Sequence, residues 1–257
     1  LDQSNVQSGD GTITLDTGSA GDIHVGGDSE VNSDTGDIYL YAINIVLGDE
    51  TGYGDVYSSD SGNVSLSADN DIVVDYYTYV GTTGDGIVTL NAGNDITVQS
   101  RNALYQSNVW GGGNVTLDAG NDVNIIDSIV DSEAFNNIIA DNDINIYQGT
   151  IEGNTIGIVS DNGNINITNS SLSGDEGVTI DATQGYVRID PTYIISDSGT
   201  ITITALTDID VIDSELYAGA DINLEAGDNV RVVSSILEAG DNILIDADTG
   251  NIYIDNT

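Results

Sequence analysis

The chain has 257 residues, and 43 Asp and Glu against 3 Lys and Arg give it a formal net charge of −40. Such charge repels nucleic-acid phosphates and anionic lipid surfaces. The absence of Cys excludes disulfides, zinc–thiolate sites and iron–sulfur clusters, and no apolar run approaches the roughly 20 residues needed to span a bilayer. No basic segment followed by an apolar stretch opens the chain, and the first residue is not Met, which points to a mature product or an excised segment. One large domain over residues 1–257 is expected, because solenoids grow past the usual size ceiling without adding domains.

High charge with modest hydrophobicity is the composition of disordered chains, but the order of the residues overrules it. From the start, Ile, Val and Leu alternate with polar residues: Ile13 and Leu15, Val64 and Leu66, Val88 and Leu90, Val115 and Leu117, Ile201 and Ile203. Period-two alternation of branched aliphatics, punctuated by Gly, Asn and Asp, predicts short half-buried strands. No sustained 3.6-residue period competes with it, so the chain reads as all-β.

The strands recur in a repeat. The segment GNVTLDAGNDVNI (113–125) aligns with GNVSLSADNDIVV (62–74), GIVTLNAGNDITV (86–98) and DNILIDADTGNIYI (241–254). Coils begin at Gly11, Gly36, Gly62, Gly86 and Gly113, and again at Gly177, Gly199, Ala220 and Asp241. The interval between Gly113 and Gly177 fits three further coils, for about eleven in all. Each coil reads as a first strand (Val115, Leu117), a tight Ala-Gly-Asn-Asp turn (119–122), a second strand (Val123, Ile125) and a third strand. A Ser-containing corner precedes the third, as at Asp213-Ser214 and Asn169-Ser170. A period near 23 suits one turn of a three-sided, right-handed parallel β-helix, with turns about 4.8 Å apart.

At these residues the sequence resembles the haemagglutinin repeats of filamentous haemagglutinin-type adhesins, the exoproteins of two-partner secretion. The likeness lies in the cadence of 113–125 and in the trailing SSILEAGD of 234–241, and it is weakest at 126–160. It implies a shaft segment of a secreted, cell-surface fibre.

The ends read as open. The chain starts on what aligns with a third strand (Leu1, Asp2, Val6) and stops after a second strand (Ile252, Ile254, Thr257). Running Thr257 into Leu1 restores a coil of ordinary length, so the unit is expected to be uncapped and to continue head to tail, as a tandem repeat or a self-stacking subunit.

Several residue groups are candidate sites. The recurrent Asn-Asp turns stack Asp71, Asp95, Asp122 and Asp143, whose oxygens could hold Ca²⁺ or other cations; equally, Asn and Asp favour the turn itself. Tyr57, Tyr79 and Tyr105 fall in the third segments of successive coils, with Trp110 close by. They form either a packing ladder or an exposed strip for surface glycans or a neighbouring fibre. Catalysis finds little support. The cationic groups are Arg101, Arg188, Arg231 and His24, with Arg188 and Arg231 read as three coils apart. The spaced pairs Asp208/Asp210 and Asp246/Asp248 are what chance yields among 43 acids. An ice-binding face is disfavoured by a mixed outward column (Thr14, Tyr39, Ser65, Thr89, Thr116). The sequons at Asn63, Asn114, Asn166 and Asn169 are weak signals, since the strand consensus itself generates Asn-Val-Thr. The expectation is a non-enzymatic extracellular shaft whose acidic sides recruit cations or salt, with a glycan-binding adhesin segment as the alternative.

Overall fold

The computed structural model describes residues 1, 3–101 and 105–257, and of Ser19 the backbone alone. Most strands are three to six residues long, and a single 3-10 turn, Gly18–Ala20, is the only helical segment among the described residues. Each strand pairs in parallel with the strands one turn before and one turn after it. Val88–Ala92, for example, lies between Val64–Ala68 and Val115–Ala119 with every aliphatic in register. One sheet collects eleven strands from Ile23–Val25 to Ile252–Asp255, and a second collects twenty. The chain is therefore an all-β parallel solenoid of eleven turns. At about 4.8 Å per step it is a rod about 50 Å long.

Alternation along each strand sends every second side chain inward, and stacking places like on like. Ile38, Val64, Val88 and Val115 form one column, Leu40, Leu66, Leu90 and Leu117 the next, and Ala42, Ala68, Ala92 and Ala119 the third. All of these are buried. The Ala column lies where the backbone starts to turn, and a small side chain leaves room for the chain to cross. In the middle of the rod, Val115, Asn136, Ile156 and Val178 follow one another in register, so the interval after Gly113 holds the three turns its length predicts.

There the strands also lengthen. Thr150–Ser160 and Ser170–Ala182 each run without a break through a corner that is a turn elsewhere, with a bulge between Gly153 and Thr155. Glycine at 153 and 174 takes the corner position that Ser132 and Ser196 hold in the flanking turns. Gly199 shows how closely turns approach, since a Cβ there would lie 1.6 Å from the carbonyl oxygen of Glu176.

The corner after the second run has its own construction. A residue with positive φ (Asp127, Gln148, Asn169, Asp213 or Ser234, at 48° to 53°) turns the chain. Asn and Asp tolerate this region better than most residues. Ser128, Ser170, Ser214 and Ser235 come next, their hydroxyls donating to the carbonyl two residues back at 2.6–2.8 Å. The same oxygens accept amides from the preceding turn, as Ser170 does from Gly149 at 3.1 Å and Ser214 from Thr192 at 3.0 Å. A buried polar corner is thus paired both within and between turns.

Candidate functional site

The Asn-Asp turns stack as expected, and their oxygens are engaged. Asp71 Oδ1 accepts the Asn94 amide at 2.7 Å and the Asp95 backbone N–H at 3.2 Å. Asp95 does the same for Asn121 and Asp122, and Asp122 for Asn142 and Asp143. Asp143 continues the ladder to Asn164, and Asn164 Oδ1 accepts from Tyr186 at 3.1 Å. One oxygen of each candidate metal ligand is thus occupied by two donors from the next turn. Among the described residues, no three His, Cys, Asp or Glu groups converge as a metal site would require.

The four candidate aromatic residues fall into two groups. Tyr57 and Tyr79 meet edge to face with centroids 6.1 Å apart, and both are half-buried on the outer face of the third run. Burial, then the Asp55 carboxylate, pushes the Tyr79 phenol up to about 12. Trp110 is half-buried one turn from Asp131, to which its indole donates. Tyr105 is not the next member of this face. The residue in register after Tyr79 is Asn108, and Tyr105 sits in the preceding corner, edge-on to Tyr77 at 4.8 Å. The reason is the length of that connection: Gln99 and Asn108 are separated by residues 100–107, where later turns have one or two residues.

The cations are tied down or scattered. Arg101 reaches Asp75 and Glu50, each at 3.0 Å. Arg188 pairs with Asp190 at 2.5 Å, a hydrogen bond that holds the guanidinium above its usual range. Arg188 and Arg231 lie two turns apart with Asp210 between them in register, closer than the three read from spacing. The later coils are only 21 or 22 residues long, so 43 residues cover two. Asp208 Oδ1 belongs to the turn ladder and accepts from Asn229. His24 Nε2 lies 2.9 Å from Asp49, whose carboxyl is held low chiefly by hydrogen bonds from Thr51.

At the far end of the rod, Ile252 and Ile254 are about half exposed, whereas their equivalents one turn earlier, Val230 and Val232, are fully buried. Val6 packs against the core at the other end, where Leu1 is 41% exposed and Thr257 at the opposite terminus is open. Asp2 lies outside the described residues. No helix of the described residues is long and apolar enough to cross a membrane.

Repeated parallel turns around an aliphatic core, with side-chain ladders from turn to turn, define a β-solenoid of the repeat-protein class. Residues 100–153 match the hemagglutinin repeat family model. The match covers much of the stretch, 126–160, where the resemblance in the sequence is weakest. No curated protein and no solved structure matches the chain.

Proposed function

We propose that the chain is an adhesin-like shaft whose work is mechanical: it sets distance and stiffness at a cell surface or outside the cell. The observation that carries this reading is the unbroken register of inward columns over eleven turns, together with the hemagglutinin repeat match at 100–153. A three-strand, right-handed coil belongs to the same proposal, since a right-twisted strand leads into a right-handed crossover when it returns to a parallel neighbour. Continuation is its second part. A further coil, from the same chain or a second copy, covers Ile243, Ile252 and Ile254, which the last turn leaves about half exposed. Electron microscopy of the purified chain tests this. The expected image is a rod about 50 Å long, with end-to-end multiples that disappear in the double variant Ile252→Asp and Ile254→Asp. Single rods at all concentrations, with the double variant indistinguishable, would remove the assembly part.

A further inference from the structure

Acids crowd this rod, yet the middle of one side is almost free of them. Each strand of the eleven-stranded sheet sends one residue outward between its two inward ones, and these residues stack in register from His24 to Tyr253. Asp210 is the one carboxylate in that column. With turns numbered by their strands in this sheet, turns four to seven carry Thr97, Asn124, Asn145 and Asn166 there. The Asn amides bond along the rod, Asn145 to Asn124 and Asn166 to Asn145, each at 3.2 Å, which fixes them in one arrangement. Ile126 and Tyr147 stand beside them in register, and Tyr147 is 45% exposed.

The two ends of this face differ in charge. Arg188 and Arg231 occupy turns eight and ten. Turns one to three carry an open groove whose lining includes Val46, Val73 and the acids Asp22, Asp49 and Asp71. Measured from the midpoint between Asn124 and Asn145, turns one and three lie as far out as turns ten and eight.

We propose that two copies of this chain pair side by side and antiparallel through this face, about a two-fold axis between the fifth and sixth turns. The axis sets Arg231 of one copy level with Asp22 of the other, and Arg188 level with Asp71. Each match occurs twice, as an isologous contact requires. The acids of the ladder bordering the sheet then meet neutral residues, as Asp71 meets Tyr186 and Asp95 meets Asn164. The exception is at the axis, where Asp122 opposes Asp143. Beside them Ile126 covers Tyr147, which gives the contact an apolar centre. The face measures about 50 Å by 12 Å, or about 600 Å² before the relief of its side chains is counted. Each partner in a standard interface covers about 800 Å². The side built by the third runs is closed to such pairing, because it carries Glu30, Asp55, Asp131 and Glu152 outward. The inference is independent of end-to-end assembly: a side-by-side pair keeps the length of one rod, about 50 Å, whereas an end-to-end pair is about 100 Å long.

Sedimentation velocity and small-angle X-ray scattering of the whole chain, in about 0.15 M NaCl, test the pairing. The expected particle is a dimer no longer than one rod. Arg231→Glu, at an exposed position, should weaken the dimer at least about tenfold and leave the circular dichroism spectrum unchanged. Asp22→Arg should weaken it as well, and the two together should restore it, because the exchanged charges meet again across the axis. Tyr147→Asp, at the centre of the face, should dissociate it, and Tyr193→Ala, on the side of the third runs, should leave it intact. A monomer at every concentration, a dimer of doubled length, or an undiminished dimer in Arg231→Glu or Tyr147→Asp would each overturn the proposal. A double variant that pairs no better than Arg231→Glu alone would overturn it too, since Arg231 and Asp22 would then not share a level.

Discussion

Asp55 sits on the outer face of a third run, in register with Glu30, and accepts the Tyr79 N–H at 2.7 Å. Burial pushes its carboxyl up to about 6, with help from Glu30 and against the Tyr79 hydrogen bond. A carboxyl raised by folding binds its proton more tightly in the native state. Its contribution to stability is therefore fully present below about pH 4 and is lost as pH rises through about 6. Asp55→Asn should flatten that part of the profile, raising the melting temperature at pH 7 and leaving it nearly unchanged at pH 4; thermal melts across the window check this. Asp131, raised by burial and then by Glu152 and Glu133, repeats the pattern further along the rod. A different residue-scale conflict lies inside. The Ser196 hydroxyl is buried without a hydrogen-bond partner, while the next two turns carry Ala218 and Ala239 in the same register. Removing an unpaired buried hydroxyl recovers its desolvation cost, about 1–3 kcal/mol. Ser196→Ala is expected to stabilise the chain by up to that amount in urea denaturation.

At the scale of strand and turn, the ladders explain why Asn and Asp alternate so freely. Asp122 Oδ1 accepts from Asn142 at 3.0 Å and from the Asp143 N–H at 2.9 Å, and Asn164 and Asn229 perform the same service with an amide oxygen. Asp122→Asn keeps both bonds and removes a negative charge, so it should match or exceed the parent in melting temperature. Asp122→Ala leaves two donors without their acceptor and should cost about 1–3 kcal/mol. An order with Ala above Asn would show the ladder to be incidental. The same elements show what the sequence makes readable. Inward columns are written in it because each aliphatic must meet its like one turn away, and the turn ladders because Asn-Asp recurs at one place in each coil. Corner lengths are not written in that alphabet. An insertion leaves the aliphatic period intact on both sides, which is why Tyr105 reads as a strand residue and turns out to belong to a corner. The unbroken strands at Thr150–Ser160 and Ser170–Ala182 escape for a related reason, since glycine at a corner signals a turn as readily as its removal.

For the molecule as a whole, net charge of −40 over eleven turns amounts to nearly four charges per turn. Turns stand closer together than the roughly 10 Å screening length of 0.1 M salt, so the rod repels itself along its entire length. Its melting temperature should climb with NaCl and climb further with millimolar Ca²⁺; a melt indifferent to both would show that the charge is too well solvated to matter. The parallel ladders have another consequence, one of mechanics. All hydrogen bonds between turns point along the rod, so tension applied through its two ends opens one boundary at a time, like a coil of tape drawn from its roll. Each turn of about 23 residues would release about 80 Å of extended chain in place of one step of about 4.8 Å. Single-molecule pulling should show a series of small, nearly equal rips, whereas one large cooperative event would mean the turns fail together. Such a fibre gives way in instalments under load and dissipates a tug that a brittle rod would pass on to its anchor.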